Sequence, residues 1–273
     1  MFSRKALIAV LVAVGASVIA PEAMVGGLAA AGQTSAQAVG AADQASARQL
    51  LGEVLEAHGG LAKYRQFGGM KYEMVGFPLT PAVSKPSTST VDLVSRNNRI
   101  ESEAYTIGFD GKQAWSKPGP DAVGLPARFY SLGSFYFIGM PFVFADGGVV
   151  LTDLGTQTYK GKSYRVLNAA YHDGTGYTSK DDYNLFIDPA TKRLGLINHS
   201  VTETGVARVT WEFPEWQTVN GLLVPAKLVF YPGFDANPKG EGAATAVKNV
   251  SFSAARPDAS TYAPPAGAVI ETK

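Results

Sequence analysis

"YSLGSFYFIGMPFVFADGG", residues 130–148, brings together Tyr130, Phe135, Tyr136, Phe137, Phe142 and Phe144 and carries no charge before Asp146. Such a run can be buried core, a membrane-contacting patch, or the lining of a pocket for an apolar guest. Gly133, Gly139 and Pro141 interrupt it, which argues against one long regular helix and for a broken helix or loop. A membrane patch sets exposed aromatics among basic residues. Only Lys117 and Arg128 stand near this run, so that reading ranks last.

The flanking sequence has a strand period on both sides. Met70, Tyr72 and Met74 alternate with Lys71 and Glu73, the pattern of a half-buried strand. Val91–Arg96 and Arg99–Phe109 follow, with turns expected at Asn97-Asn98 and as a two-residue hairpin at Asp110-Gly111. Ala114-Trp115 returns on the partner strand. Beyond the aromatic run, residues 151–159, 163–171, 183–187, 194–202, 207–213, 222–231 and 245–252 continue the series. Their turns include Lys160-Gly161-Lys162 and Asp188–Lys192. The reading is a mainly β (α+β) fold with about ten antiparallel strands, and so wide an open sheet tends to curl.

One helical region precedes the strands. Ser46-Ala47-Arg48-Gln49 has the form of a capping box. Leu50, Leu51, Val54 and Leu55 then repeat at helical spacing, and Gly59-Gly60 ends the helix. Leu61, Tyr64 and Phe67 mark a second short helical turn. The N-terminal helix and residues 127–145 are the two candidates to cover the apolar face of the sheet.

Upstream, Arg4 and Lys5 precede an uncharged apolar run from Ala6 to Ala20, followed by small residues, as in an export signal. Ala36-Gln37-Ala38 fits the cleavage site, so the signal is placed at 1–38, a linker at 39–45 and a single domain at 46–273. Cleavage nearer Ala23 and an uncleaved anchor are the alternatives. The chain has no cysteine, which excludes disulfides, thiolate metal sites, a cysteine nucleophile and lipid attachment at cysteine. The expected compartment is the periplasm. A formal charge of +1 over 273 residues argues against nucleic acid as a partner.

Several segments resemble exported lipoprotein-carrier-like proteins, those of the outer-membrane lipoprotein-sorting fold. "LGEVLEAHGGLAKYRQFGGMKYEM" resembles their opening helix and first strand, and "GFDGKQAW" their Asp-Gly hairpin. "RFYSLGSFYFIGMPFVFADGG", "DDYNLFIDPATKRLGLI" and "WQTVNGLLVPAKL" resemble an uncharacterised family of that fold. The resemblance implies a strongly curved antiparallel half-barrel around a hydrophobic cavity, closed by an N-terminal helix and a broken helical or loop lid. The better-known relatives carry lipoprotein acyl chains or other lipids. Their gating arginine has no motif that matches it to Arg96 or Arg99, so neither is assigned.

Catalytic signals are weak. His58, His172 and His199 are dispersed and share no metal-ligand spacing. His58 falls where a helix C-terminus offers free carbonyls, a capping or packing position. His172 shares "HDGTGYTSKDD" with Asp173, Asp181 and Asp182, an oxygen-rich stretch that does not follow an EF-hand loop. No G-x-S-x-G element and no phosphate loop occur.

The expected function is binding or carrying of a lipid or other hydrophobic small molecule, without catalysis and without metal or cofactor. Transient contact with membrane or envelope proteins is a further expectation. Tyr72, Met74, Trp115, Phe135, Tyr136, Phe137, Met140, Phe142, Phe144 and Trp211 are the expected ligand-lining residues. Each buried acyl methylene contributes about 0.8 kcal/mol, so binding needs little polar recognition. The alternatives are a protein-partner or envelope-sensing module with a filled core and, last, a hydrolase using a carboxylate or His172.

Overall fold

The computed structural model describes residues 33–173 and 180–271. The export signal expected over 1–38 lies largely outside them. Helix α1 runs Gln33–Ala57 and α2 is the short turn Leu61–Tyr64. Ser46 is therefore interior to α1 and does not cap it, and the segment expected as linker is helical. Ala47, Leu51, Val54 and Leu55 of α1 are buried in the main core, which is where most of a helix's stability arises.

Thirteen strands follow in one antiparallel sheet. The first group is β1 (Gly69–Val75), β2 (Ser87–Asp92), β3 (Asn98–Ser102), β4 (Thr106–Phe109) and β5 (Ala114–Lys117). The second is β6 (Val149–Tyr159), β7 (Lys162–Tyr171), β8 (Tyr183–Ile187), β9 (Leu194–Val201), β10 (Val206–Val219), β11 (Leu222–Pro232) and β12 (Ala243–Ser253). A short β13 (Val269–Glu271) closes the chain. The order is β13-β5-β4-β3-β2-β1-β12-β11-β10-β9-β8-β7-β6. The half-barrel of about ten strands is thus corrected to a single open sheet of thirteen that does not curl strongly onto itself; β13 and β6 are its two edges.

This order dictates where the aromatic run must go. Each group is a meander of neighbouring hairpins, and β1 joins them by pairing with β12. The chain leaves the first group at β5 and enters the second at β6, so the connection crosses the face of the sheet. Helix α3 (Ala127–Ile138) and the 3₁₀ turn Phe142–Ala145 lie on that crossing. Gly133 does not break α3; the helix ends at Gly139, ahead of Pro141. Packing overrides the weak helix propensity of one glycine. The N-terminus of α3 is capped in trans: the Arg128 N–H donates to Glu271 Oε2 at 2.7 Å, a carboxylate at the positive end of the helix dipole.

Turn chemistry explains the strand boundaries. Lys160-Gly161 and Asn220-Gly221 each place two residues at positive φ, as tight hairpin turns of the right twist require. The Asp110 turn is longer than expected. Phe109 pairs with Ala114, and Asp110 Oδ1 accepts from the N–H groups of Lys112 and Gln113, both at 2.9 Å. Between β2 and β3 the reversal spans Leu93 to Asn97, and a further turn separates β3 from β4 where one strand was expected.

Asp92 organises the β2–β3 turn. Its Oδ1 accepts from the N–H groups of Val94 at 2.8 Å and Ser95 at 3.0 Å. Its Oδ2 accepts from Arg256 Nε at 2.9 Å and Nη2 at 2.7 Å, tying in the chain beyond β12. Burial acts to raise the Asp92 pKa, but Arg256 and these N–H donors outweigh it and hold it below the ordinary carboxylate value. Because a buried carboxylate loses charge-assisted bonds when neutralised, Asp92→Asn is expected to cost about 2 kcal/mol in urea unfolding.

Candidate functional site

The second group of strands offers α3 two adjacent rows of side chains. Cross-strand pairing aligns Leu167, Leu185, Ile197, Trp211 and Phe230 in one row. The next row is Ala169, Tyr183, His199 and Val209. Directly opposed residues share a face of the sheet, so Trp211 and His199 look toward the same space. The Trp211 ring lies 4.6 Å from Phe137 of α3, 4.9 Å from Phe230 and 5.2 Å from Phe77.

Between α3 and these rows is a cavity of about 590 Å³. Its wall is mostly apolar and aromatic and includes Phe77, Phe137, Val209, Trp211 and Phe230. Of the ten expected residues, Phe135, Tyr136, Phe137 and Trp211 line it. Tyr72, Met74, Met140, Phe142 and Phe144 do not reach it and are buried in the core that Phe135, Phe137 and Trp211 also share. Phe142 stacks on Tyr64 with centroids 4.3 Å apart. Phe144 meets Tyr136 and Tyr183 edge-on, at 5.8 and 5.6 Å.

Trp115 lies elsewhere. Its indole covers Gly108 of β4, where an added Cβ would stand 2.5 Å from the ring. Its Nε1–H donates to the Tyr262 carbonyl at 2.8 Å, in the 3₁₀ turn Ala259–Tyr262. It stands outside the core cluster beneath α3. Ala114 and Trp115 are both buried and Ala114 is the one in the main core, so burial read from the sequence could not tell which of them faced that core.

Among the wall residues that were missed are Phe77, Tyr171, Tyr183 and His199. Each is an isolated ring in its own segment. Strand parity with Trp211 would have found His199, had the β9–β10 register been known. His199 Nδ1–H donates to the Ser200 carbonyl at 2.8 Å, and the ring stacks on Tyr183 with centroids 4.8 Å apart. Burial drives its pKa down to about 4, so the imidazole is neutral at pH 7. Tyr136 and Tyr171 hydrogen-bond through their hydroxyls, tying α3 to β7.

Arg96 occupies the rim in a left-handed conformation, φ 66°. Its Nη2 donates to both oxygens of Asp146, at 2.9 and 2.7 Å, and Nη1 reaches the Tyr64 hydroxyl at 3.4 Å. The guanidinium stands 5.4 Å from the centre of the Phe135 ring. It thus joins the β2–β3 turn, α2 and the segment after α3. Burial acts to lower the Arg96 pKa, but Tyr64 and Asp146 outweigh it and raise it. Arg99 is placed differently, against Trp115 and Glu101.

Where α3 meets the first group of strands, the contact is polar. Asn98 donates to the Ser131 carbonyl. The buried hydroxyls of Tyr72, Ser87, Ser89, Tyr105 and Tyr130 gather there, Tyr72 facing Ser89 and Ser134, and Tyr105 facing Tyr130 and Ser87. Burial lifts the Tyr72 pKa to about 12, with Ser89 and Ser134 acting the other way.

Asp181 and Asp182, once candidates for a cation loop, are engaged within the sheet. Asp182 pairs with Arg208 through two bonds of 3.0 Å, and Asp181 Oδ1 accepts from Thr202 N at 2.8 Å and Thr202 Oγ1 at 2.7 Å. Residues 174–179 of that stretch lie outside the described ones. Among the described residues, no group of three acidic or histidine side chains is arranged to hold a metal ion, and no helix is long and apolar enough to cross a membrane.

No family model and no curated protein matches the chain. Solved structures of similar fold do. A LolA superfamily protein from Nitrosomonas europaea matches at 11% identity, covering 75% of this chain and 92% of that one, with a TM-score of 0.44. An outer-membrane lipoprotein-sorting protein domain from Vibrio parahaemolyticus matches at 12% identity over 74% and 93%, TM-score 0.38. The lipoprotein LppX of Mycobacterium tuberculosis matches at 12% identity over 60% and 92%, TM-score 0.26.

Proposed function

We propose that the protein binds a hydrophobic small molecule, a lipid or another amphiphile, in the space beneath α3, and carries or holds it without chemical change. The observation that supports this is the cavity of about 590 Å³ walled by Phe77, Phe137, Trp211 and Phe230. Small-molecule sites are concave, mostly apolar and roughly 300–1,000 Å³ in volume. The filled core that the partner-binding alternative required does not accord with a space of this size. An export signal at 1–38, with the periplasm as the working compartment, is part of the same proposal.

Gly133 supplies the test. It lines the cavity, and a Cβ added there meets nothing within 4 Å. Gly133→Leu improves helix propensity by about 1 kcal/mol and puts a side chain into the space. The neutral fluorophore N-phenyl-1-naphthylamine is expected to bind the natural sequence and to bind the variant at least tenfold more weakly, with no loss of thermal stability. Equal binding by both proteins, or none by the natural sequence, would count against the cavity as the site.

A further inference from the structure

The cavity wall also narrows the kind of amphiphile. Its charged residues are Arg96, Arg128, Asp146 and Asp181, two of each sign, so the wall has no net formal charge. A charged head group must be desolvated on entry and finds no excess of the opposite sign in the wall as a whole.

Among the wall groups, the His199 ring presents an unused acceptor. A backbone carbonyl can only accept, so the contact between His199 Nδ1 and the Ser200 carbonyl places the ring proton on Nδ1. Nε2 is left as a lone pair, and it is buried with no partner. Asp181 is 7% exposed, and its Oδ1 takes Ser200 Oγ at 3.3 Å beside the two Thr202 donors. Asp181 bonds Ser200, the residue next to His199, and both Asp181 and His199 belong to the cavity wall. Leaving a buried acceptor unpaired is costly, and a guest that donates to it removes that cost.

Resting on the reading of this space as a ligand site, we infer that it selects a neutral amphiphile with a hydroxyl head. The hydroxyl donates to His199 Nε2, and the apolar tail lies against Phe137 and Trp211. A carboxylate head offers no proton and meets the Asp181 charge. An ether or ester of the same length fills the space but leaves the acceptor unpaired.

Competition against N-phenyl-1-naphthylamine at pH 7.5 tests this with four ligands of equal chain length: tetradecan-1-ol, 1-methoxytetradecane, tetradecanoate and tetradecylamine. The alcohol is expected to compete at about tenfold lower concentration than the ether, with the carboxylate and the amine weaker than the alcohol. In His199→Phe, which keeps a ring in the wall, the alcohol-to-ether ratio is expected to fall below twofold. Equal competition by alcohol and ether, or tighter binding of the carboxylate or the amine, overturns the hydroxyl preference and leaves the ligand site standing. A ratio unchanged in His199→Phe overturns the assignment to His199. If none of the four competes and the fluorophore does not bind, the ligand site falls and the preference with it.

Discussion

Acidification from pH 7.5 to pH 4.5 is expected to destabilise the fold by about 5 kcal/mol, shared by two histidines. Burial depresses the pKa of His58 and of His199 from 6.5 to about 4. His58 closes α1, its Nδ1–H donating to the Val54 carbonyl at 2.7 Å, with its ring edge-on to Trp216 at 4.7 Å. It caps the helix as a neutral donor rather than as a cation. Arg193 adds to the depression at His58. At His199 the Ser200 carbonyl, Asp181 and Asp182 oppose it, and Arg208 adds to it.

Both imidazoles hold a proton more weakly in the folded chain than in the unfolded one. Between about pH 6.5 and pH 4 the unfolded state therefore binds more protons, and stability falls as pH falls. The contribution is complete above pH 6.5. Urea midpoints across this range measure it, and His199→Phe should flatten the slope by about one proton. The carboxylates of Asp92, Asp153 and Asp188, whose pKa values are lowered, lose their contribution in a separate, more acidic window. A midpoint that holds steady from pH 7.5 to pH 4.5 would refute the burial of both rings.

The second large effect separates core from cavity within one sequence run. Phe142 is 2% exposed and stacked on Tyr64. Phe142→Ala is expected to cost about 3–5 kcal/mol, since its neighbours cannot collapse fully into the void. Phe137 touches Trp211 and His199 but has the cavity on another side, so it already lacks part of its packing shell. Phe137→Ala is expected to cost only about 1–2 kcal/mol. It should nevertheless weaken binding of the neutral fluorophore several-fold, because it removes wall surface. Phe142→Ala should leave affinity intact wherever the protein remains folded. Equal stability losses, with equal affinities, would mean that the two rings do not differ in environment.

What local sequence could and could not say follows from the range of the interactions involved. The turn at Lys160-Gly161, the Asp188 turn and the alternation of Met70, Tyr72 and Met74 depend on backbone conformation and side-chain period. Both are set within a few residues. The reading of Ser46 as a cap failed because the same residue type also sits inside a helix when the chain before it continues the turn. Gly133 was read as a break because propensity is a local average, whereas α3 is held by contacts with both groups of strands.

The candidate site divides along the same line. Phe135, Tyr136 and Phe137 were visible because they cluster in one run. Which aromatics surround a space, and which are interdigitated, depends on strands far apart in the chain. His199 meets Val209 and Tyr183 only through register, and Trp115 is turned away by the C-terminal segment around Tyr262. From the residues alone came a mainly antiparallel β chain with an aromatic cover at 127–145. Long-range pairing supplied the rest: thirteen strands in an order that sends the cover across the sheet, a wall that includes His199 and Asp181, and a space that packing leaves unfilled. Periodicity and turn geometry are properties of neighbours along the chain, while a cavity is a property of surfaces that meet only after the chain has folded.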